Sequence, residues 1–383
     1  VTGNVVVASG KTLTIDPGVT VKFDSGKALE VEGTLVARGT SSDKVTFTSS
    51  AASPAAGDWG YIEFKTGSTG TTFNGEGGYV SGSIFEHCGV EYGGSYSDAV
   101  VLGAPYINSC TFTNNEGGNS GGVVGAYRSG GDPVKITNST FTQNDAIAIR
   151  FAQNATITGN TITYNRQGIA VGGGATTITD NVITHNQGAP STACGIWVRN
   201  GSVVTISGNQ IMDNGGSGCG SGLHIGGVTA TISGNTIVRN IGPGISGGGG
   251  GSLSITNNYI ADNSADRGGG ISIGATSRPI YNISYNRIHG NIATGGEGSA
   301  LWIRDRTSFG TSVQYRDTYE YNTVTGGTGT SLIFKYDGDP TIRYNNFVHE
   351  SETYLIYDDG DVGATLDLEN NWWGTTDTTN LNA

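Results

Sequence analysis

A nine-residue phrase punctuated by Asn recurs along the chain and constrains its fold more than any other feature. It reads Ile-Thr-Gly-Asn-Thr-Ile-Thr-Tyr-Asn at 157–165 and Ile-Thr-Asp-Asn-Val-Ile-Thr-His-Asn at 178–186, so these copies begin 21 residues apart. Positions 1 and 6 are apolar, and positions 4 and 9 are Asn. Repeats with a period of about 20–50 residues are typical of solenoids, propellers and arrays. Further copies begin at Ile136, Ile206, Ile232, Ile255 and Ile283, and looser copies at Val80, Ile107, Tyr319, Ile342 and Leu368.

Each repeat predicts three short strands joined by Gly-rich turns. The phrase supplies two strands, and a third apolar run, such as 195–198 or 222–225, completes the repeat. These runs are too short for helices. The 65 Gly residues among 383 suit frequent turns, because Gly adopts positive φ at little steric cost. The sequence therefore predicts a solenoid in which equivalent strands of successive repeats stack in register.

The Asn residues are interpreted as structural. In a stacked coil, an Asn side chain bonds to the next coil and to its own backbone, and it tolerates turns. We expect internal ladders at two corners, with apolar ladders between them. The predicted ladders contain Asn160, Asn181, Asn209, Asn235, Asn258 and Asn286 at position 4, and Asn144, Asn165, Asn186, Asn214, Asn240 and Asn263 at position 9.

The predicted organisation is one continuous domain. Residues 1–79 contain β-branched strands without the Asn phrase and are expected to form the N-terminal coils and cap. Residues 80–374 carry the regular coils, and residues 375–383 are interpreted as a truncated C-terminal tail.

Charge and hydropathy exclude some partners. The formal net charge is −12 and the sequence pI is about 4.8, which argues against nucleic acid or an anionic membrane as the main partner. An anionic polysaccharide would need a local basic patch. No apolar run is long enough to cross a bilayer.

The phrase and several flanking segments resemble the right-handed parallel β-helix repeat family over nearly the whole chain. The flanking segments are the opening strands at 13–23, the Gly-Asp-Trp-Gly turn at 57–60 and the closing Asn-Asn-Trp-Trp-Gly-Thr-Thr-Asp at 370–377. The resemblance implies an all-β chain: a single right-handed parallel β-helix with three short strands per coil and internal Asn ladders. It extends to β-helix modules of large secreted or surface-attached bacterial and archaeal proteins, and implies an extracellular or cell-surface location.

The resemblance does not choose an activity, because this fold hosts lyases, hydrolases, epimerases, adhesins and tailspikes. The catalytic phrases of polygalacturonases and of mannuronan epimerases are absent, and no pectate-lyase signature is found. This lowers the expectation of an enzyme without removing it.

Aromatic and basic residues on the third strand of each repeat form the main candidate site. Alternation places Ile196 and Val198 inward, and therefore Trp197 and Arg199 outward. The expected ligand-binding residues are Trp197, Arg199, His224, Trp302 and Arg304. The two Trp residues lie four coils apart, roughly 19 Å at the sheet spacing. Small residues between them would form the floor of a groove for an extended sugar chain.

Two interpretations of this face stay open. Aromatic rings stack on sugars and Arg pairs with carboxylates, which favours polysaccharide binding. Alternatively, the long 305–316 loop covers the Trp and Arg side chains. If the chain is an enzyme, His224, Arg304 and Lys335, which the same alternation places outward, are the candidate catalytic residues of a lyase or hydrolase.

A second candidate site combines two Asp-Gly-Asp turns 22 residues apart. Their carboxylates are Asp337, Asp339, Asp359 and Asp361. Stacked carboxylates repel each other unless a cation such as Ca²⁺ is bound, which makes Ca²⁺ the one candidate cofactor. The alternative is two solvated turns, because Asp-Gly is a common turn pair.

The four cysteines fall into two pairs. Cys194 and Cys219 precede equivalent strands of adjacent coils and are a candidate disulfide. Counted from the copy at Val80, Cys88 falls at position 9 and Cys110 at position 4. These are different corners, so the sequence predicts two buried thiols in place of Asn.

The sequence favours a secreted or cell-surface β-helix module that binds polysaccharide or builds an extracellular adhesive structure. The alternative is a polysaccharide lyase or other carbohydrate-active enzyme acting on an anionic polysaccharide. A third interpretation is a self-assembling structural protein. The expected partner is a polysaccharide or cell-surface component, with possible self-association.

Overall fold

The chain folds into short parallel strands. The computed structural model describes residues 1–94, 99–103, 105–117, 122–126, 133–187, 195–199, 203–216, 220–275, 280–305, 317–336, 340–348, 354–358 and 367–374. None of these residues is helical. Two compact units divide the chain, Val1–Asn186 and Gln187–Ala383.

The first unit contains three parallel sheets, and successive strands of the chain visit each sheet in turn. The first sheet holds β1 (Val5–Val7), β4 (Leu29–Val31), β7 (Ile62–Phe64), β12 (Ala99–Leu102), β15 (Gly122–Ala126), β18 (Ile147–Phe151) and β21 (Gln167–Gly172). The second holds β2 (Thr12–Ile15), β5 (Thr34–Arg38), β10 (Ile84–Glu86), β13 (Tyr106–Asn108), β16 (Val134–Thr137), β19 (Ala155–Thr158) and β22 (Ala175–Thr179). The third holds β3 (Thr20–Phe23), β6 (Val45–Ser49), β11 (Cys88–Glu91), β14 (Thr111–Thr113), β17 (Thr140–Thr142), β20 (Thr161–Thr163) and β23 (Val182–Thr184). A small antiparallel hairpin consists of β8 (Thr72–Phe73) and β9 (Tyr79–Ser81).

The second unit repeats this arrangement. Its first sheet holds β24 (Ile196–Arg199), β27 (Leu223–Gly226), β30 (Ile245–Gly248), β34 (Ile271–Ala275), β37 (Leu301–Asp305), β40 (Ser331–Tyr336) and β43 (Tyr354–Asp358). Its second holds β25 (Val203–Ser207), β28 (Thr229–Ser233), β31 (Leu253–Thr256), β35 (Tyr281–Ser284), β38 (Thr318–Glu320) and β41 (Thr341–Arg343). Its third holds β26 (Gln210–Met212), β29 (Thr236–Val238), β32 (Tyr259–Ala261), β36 (Arg287–Ala293), β39 (Thr323–Thr328) and β42 (Asn346–Val348), and β33 (Ser264–Ala265) pairs with β36.

Apolar ladders fill the interior of both units. Strand pairing is parallel and in register, with Ile157 opposite Ile178 and Ile232 opposite Ile255. These four side chains are fully buried. Each buried aliphatic side chain contributes about 1.5–3 kcal/mol by leaving water. The prediction of a right-handed parallel β-helix is confirmed in its all-β composition and stacked parallel sheets.

The predicted Asn ladders are present. The backbone N and the side-chain Nδ2 of Asn258 both donate to Oδ1 of Asn286, at 3.0 Å each. The same Nδ2 donates to the carbonyl of Ile232 in the preceding coil at 2.9 Å. Asn258 is 2% exposed, so these bonds satisfy polar groups that water does not reach. The Asn residues are therefore structural.

Left-handed backbone conformation falls on the residue before each ladder Asn, rather than on the Asn itself. Asp180, for example, has a φ of 55° and precedes Asn181. At the equivalent corner of the second unit, Tyr285, Tyr321 and Tyr344 have φ values of 59°, 57° and 56°. Their rings stack with centroid separations of 4.9 and 5.0 Å. A surface ladder of three tyrosines thus occupies a corner where other coils place Gly, Asp, Asn, Ser or His.

The prediction that Cys88 and Cys110 lie at different corners is wrong. Register pairs Phe85 with Ile107, so this copy of the phrase begins at Phe85 and not at Val80. Both cysteines therefore occupy position 4 of successive coils, and in this structure both are buried free thiols, as predicted. The alternative predicted pair, Cys194 and Cys219, lies outside the described residues.

Candidate functional site

The outward face of the first sheet of the second unit carries the predicted aromatic residues in one file, meaning one register position on successive coils. Trp197 pairs with His224, His224 with Ser246, Ser246 with Ser272, and Ser272 with Trp302. All five side chains are partly exposed. We name this row the Trp file. Its ends are four coil steps apart, roughly 19 Å at the spacing of parallel strands.

A second outward row runs beside the Trp file. It begins at Arg199, continues through Gly226, Gly248 and Gly274, and ends at the backbone position of Arg304. We name the three glycines the glycine floor. A Cβ at Gly274 would meet no atom within 4 Å, so this part of the floor is open. At Gly248, a Cβ would lie 1.6 Å from the carbonyl oxygen of Gly274, so only Gly fits.

The Trp197 end of the site is basic. The guanidinium carbon of Arg199 lies 4.0 Å from the centroid of the Trp197 ring. Arg199 is exposed, whereas Trp197 is half-buried. Cation–π contact holds the two groups together and presents the edge of a charged, planar group beside an aromatic surface.

The Trp302 end contains residues that the sequence did not indicate. Nε1 of Trp302 donates to Oε2 of Glu297 at 3.1 Å, and Nε of Arg267 lies 3.0 Å from the same oxygen. Arg267 also lies 3.8 Å from Asp266. This end therefore combines an aromatic ring with a paired carboxylate and guanidinium. The contact between Arg267 and Glu297 crosses from one coil to the next, and no short motif encodes it.

His224 lies one coil from Trp197 in the Trp file. Its Nδ1 lies 2.9 Å from Oγ of Ser246. Burial lowers the pKa of His224 from its ordinary value of 6.5, so the imidazole is neutral near neutral pH. A Cβ at Gly226 would lie 3.3 Å from Nε2, which places this nitrogen against the glycine floor. A neutral imidazole at that place can accept or donate one proton.

The register moves one candidate catalytic residue out of the Trp file. Lys335 pairs with Ile303, a buried residue, whereas Phe334 pairs with Trp302. Lys335 therefore does not share the register position of Trp302; its side chain lies outside the described atoms, so its outward direction stays a prediction. The sequence does not show which residues face inward here, because Leu332, Ile333 and Phe334 are all apolar and either set of alternate positions would bury an apolar side chain. On the other side, the strand register places Lys335 opposite Asp358.

Three further predictions concern parts of the chain that the structure does not describe. The backbone of Arg304 lies next to the Trp file, but its side chain is outside the described atoms. The four carboxylates of the candidate calcium site lie outside the described residues, as does the 306–316 part of the predicted covering loop. Within the described part of the chain, no three His, Cys, Asp or Glu side chains converge to hold a metal. The same part contains no helix that could span a membrane.

Family models match most of the chain. The model described as right handed beta helix region matches residues 70–220 and 194–372. The model described as pectate-lyase like beta helix domain matches residues 1–100. No curated protein matches the chain in sequence.

Several solved structures match the chain at low identity and low TM-score. The Dettilon tailspike protein is 14% identical with a TM-score of 0.35, and the match covers 91% of this chain and 61% of the tailspike chain. A periplasmic alginate epimerase is 11% identical with a TM-score of 0.36, covering 95% of this chain and 84% of that one. A mannuronic acid specific polysaccharide family 6 lyase from human gut microbiota is 11% identical with a TM-score of 0.36, covering 94% and 87%.

Proposed function

The chain belongs to the right-handed β-helix family, and on that premise we propose that it binds an extended polysaccharide along the Trp file. The observation that carries the proposal is the presence of two half-exposed Trp residues at the ends of one row, with the glycine floor running beside that row. Aromatic surfaces at both ends of an open floor suit a chain of several sugar rings better than a monosaccharide.

The polar groups along the site support the same ligand class. Arg199 offers guanidinium donors, and the hydroxyls of Ser246 and Ser272 lie between the rings in the Trp file. Sugars need both an apolar surface for their C–H faces and donors or acceptors for their hydroxyls. Arg199 also provides a local positive charge on a chain of net charge −12, so a carboxylated sugar can approach at the Trp197 end.

Glycan-array binding of matched variants tests the proposal. The double variant Trp197→Ala with Trp302→Ala is expected to lose at least tenfold in affinity, or about 1.4 kcal/mol. Trp372→Ala is the control, because Trp372 is also exposed and belongs to the second unit, but lies outside the Trp file. Binding that survives the double substitution would refute the site.

A second candidate function is a polysaccharide lyase that uses the same face, and His224 is the observation that favours it. In the tautomer that carries its proton on Nδ1 and donates to Ser246, Nε2 keeps a lone pair against the glycine floor. A neutral base of this kind can remove a carbon-bound proton beside a carboxylate, and Arg199 can pair with that carboxylate. Incubation with a broad panel of anionic polysaccharides, followed by ultraviolet detection of unsaturated products, separates the two functions. No product from any substrate would leave binding alone.

The proposal includes an extracellular or cell-surface location, where such polysaccharides are encountered. Fractionation of source cells, with the chain detected only inside the cell, would contradict it. Self-association and calcium binding at the two Asp-Gly-Asp turns remain separate hypotheses. Light scattering at increasing protein concentration tests the first, and the melting temperature with Ca²⁺ against chelator tests the second.

A further inference from the structure

Cys88 and Cys110 are direct neighbours on successive coils of the first unit. The preceding strands pair Glu86 with Asn108, and the following strands pair Gly89 with Thr111. The backbone N of Cys88 donates to Sγ of Cys110 at 3.4 Å. Parallel strands lie about 4.8 Å apart, within the roughly 4.4–6.8 Å between Cα atoms that a disulfide spans. In this structure both are free thiols, and Sγ of Cys88 donates to the carbonyl of Ala37 in the preceding coil at 3.4 Å, so a bond to Cys110 requires the Cys88 side chain to turn. From the register of the two residues, we infer that in an oxidising medium they form a disulfide that links the two coils.

The two cysteines stand at position 4, the corner where Asn side chains connect successive coils elsewhere in the chain. Further along this corner, the backbone N of Cys110 donates to Oγ of Ser139 at 3.1 Å, and that of Ser139 donates to Oδ1 of Asn160 at 2.9 Å. Asn160 adds side-chain bonds to two carbonyls and to Asn181. A thiol provides weaker and fewer hydrogen bonds than an amide. A covalent link at Cys88–Cys110 replaces the connection between coils that Asn provides elsewhere.

The bond forms by thiol–disulfide exchange with an external disulfide, either a small molecule or a protein. One cysteine thiolate attacks the external disulfide, forms a mixed disulfide and releases one thiol. The second cysteine then displaces the other external sulfur. Two S–H bonds break, one S–S bond forms between Cys88 and Cys110, and the external disulfide is reduced to two thiols that carry the protons.

Burial dictates when this exchange occurs. Cys88 is fully buried and Cys110 is 2% exposed. The hydrogen bond with Cys110 and burial both raise the pKa of the Cys88 thiol, so the reactive thiolate is scarce in the folded chain. Exchange therefore takes place while the chain folds, before the coils close over the sulfur atoms. Once formed, the bond resists reduction until the coils open.

Mass spectrometry of refolded protein tests the inference. The variant with Cys194→Ser and Cys219→Ser leaves Cys88 and Cys110 as the only cysteines. This variant is refolded in a buffer of reduced and oxidised glutathione, quenched with acid, and alkylated in denaturant. The expected product carries no alkyl group and has lost the mass of two hydrogen atoms. Alkylation of both thiols after refolding under these conditions would overturn the inference.

Cys110→Ser in the same background provides the matched control, since Ser139 already fills the next place of the ladder. This control has one cysteine, so it should carry one alkyl or one glutathione group and no internal bond. Reductant should lower the urea midpoint of the parent variant and leave that of the control unchanged, because the cross-link restricts the unfolded chain. An equal urea midpoint with and without reductant in the parent variant would also overturn the inference.

Discussion

Nδ1 of His224 and Oγ of Ser246, on neighbouring coils of the same outward row, are joined by a hydrogen bond of 2.9 Å. The bond fixes the imidazole and leaves Nε2 against Gly226. Because burial lowers the pKa of His224, this ring beside Trp197 stays neutral at pH values where an exposed histidine would begin to bind a proton. The Trp file therefore combines two aromatic ends with a neutral, oriented imidazole.

The lowered pKa of His224 predicts a specific pH dependence of stability. Below about pH 6.5, His224 binds a proton more readily in the unfolded state than in the folded state. Stability is therefore lost as the pH falls through this range and is retained above it. The urea midpoint of the parent chain should therefore fall between about pH 7.5 and pH 5.5 more than that of His224→Gln. Equal pH slopes for the two proteins would contradict the assignment.

Filling the glycine floor should block binding without harming the fold. A side chain at Gly274 would enter open space, and the backbone there has no positive φ, so Gly274→Trp is expected to leave the urea midpoint nearly unchanged. The indole would stand beside the Trp file, on the glycine floor, and lower glycan affinity at least tenfold, or about 1.4 kcal/mol. Gly274→Ala adds one methyl group and serves as the matched control. Full glycan affinity in Gly274→Trp would place the ligand elsewhere.

Removing one amide from the Asn ladder should destabilise the second unit. Asn258→Ala removes the acceptor for the backbone N and Nδ2 of Asn235 and three donor bonds of its own side chain. Leaving such buried groups unpaired costs about 1–3 kcal/mol each, so we expect a loss of about 3 kcal/mol in the free energy of unfolding. Urea denaturation measures it. Asn257→Asp, at an exposed neighbour, should change stability by less than about 0.5 kcal/mol.

Substitutions in the stack of Tyr285, Tyr321 and Tyr344 should lower stability by different amounts, depending on how many ring contacts each one removes. Tyr321→Asn removes two ring contacts but keeps a residue that tolerates positive φ, as Asn257 does at the same corner. Each aromatic pair contributes about 0.5–1.5 kcal/mol, part of which offsets the strain of a left-handed Tyr. Tyr285→Asn removes one contact, so its urea midpoint should fall less than that of Tyr321→Asn. Equal midpoints would show that stacking contributes nothing.

The sequence by itself determined the fold and the direction of most site residues. A strand turns successive side chains to opposite faces, and coils of similar length stack in register. Because the apolar Ile196 and Val198 face inward, Trp197 and Arg199 were expected to face outward. The same reasoning placed His224 and Trp302 in one row with Trp197. The Asn residues were identified as structural because their spacing followed the corners of the coil.

Only the tertiary structure decided the features that depend on exact register or on contacts between coils. Lys335 follows an apolar run in which either parity buries an apolar side chain, and Cys88 belongs to a copy of the phrase that begins five residues after Val80. The contact of Trp302 with Glu297 and the bond of His224 to Ser246 join residues whose side-chain rotamers no repeat encodes. Periodicity fixes a residue's face, whereas turn geometry and packing fix what it touches there.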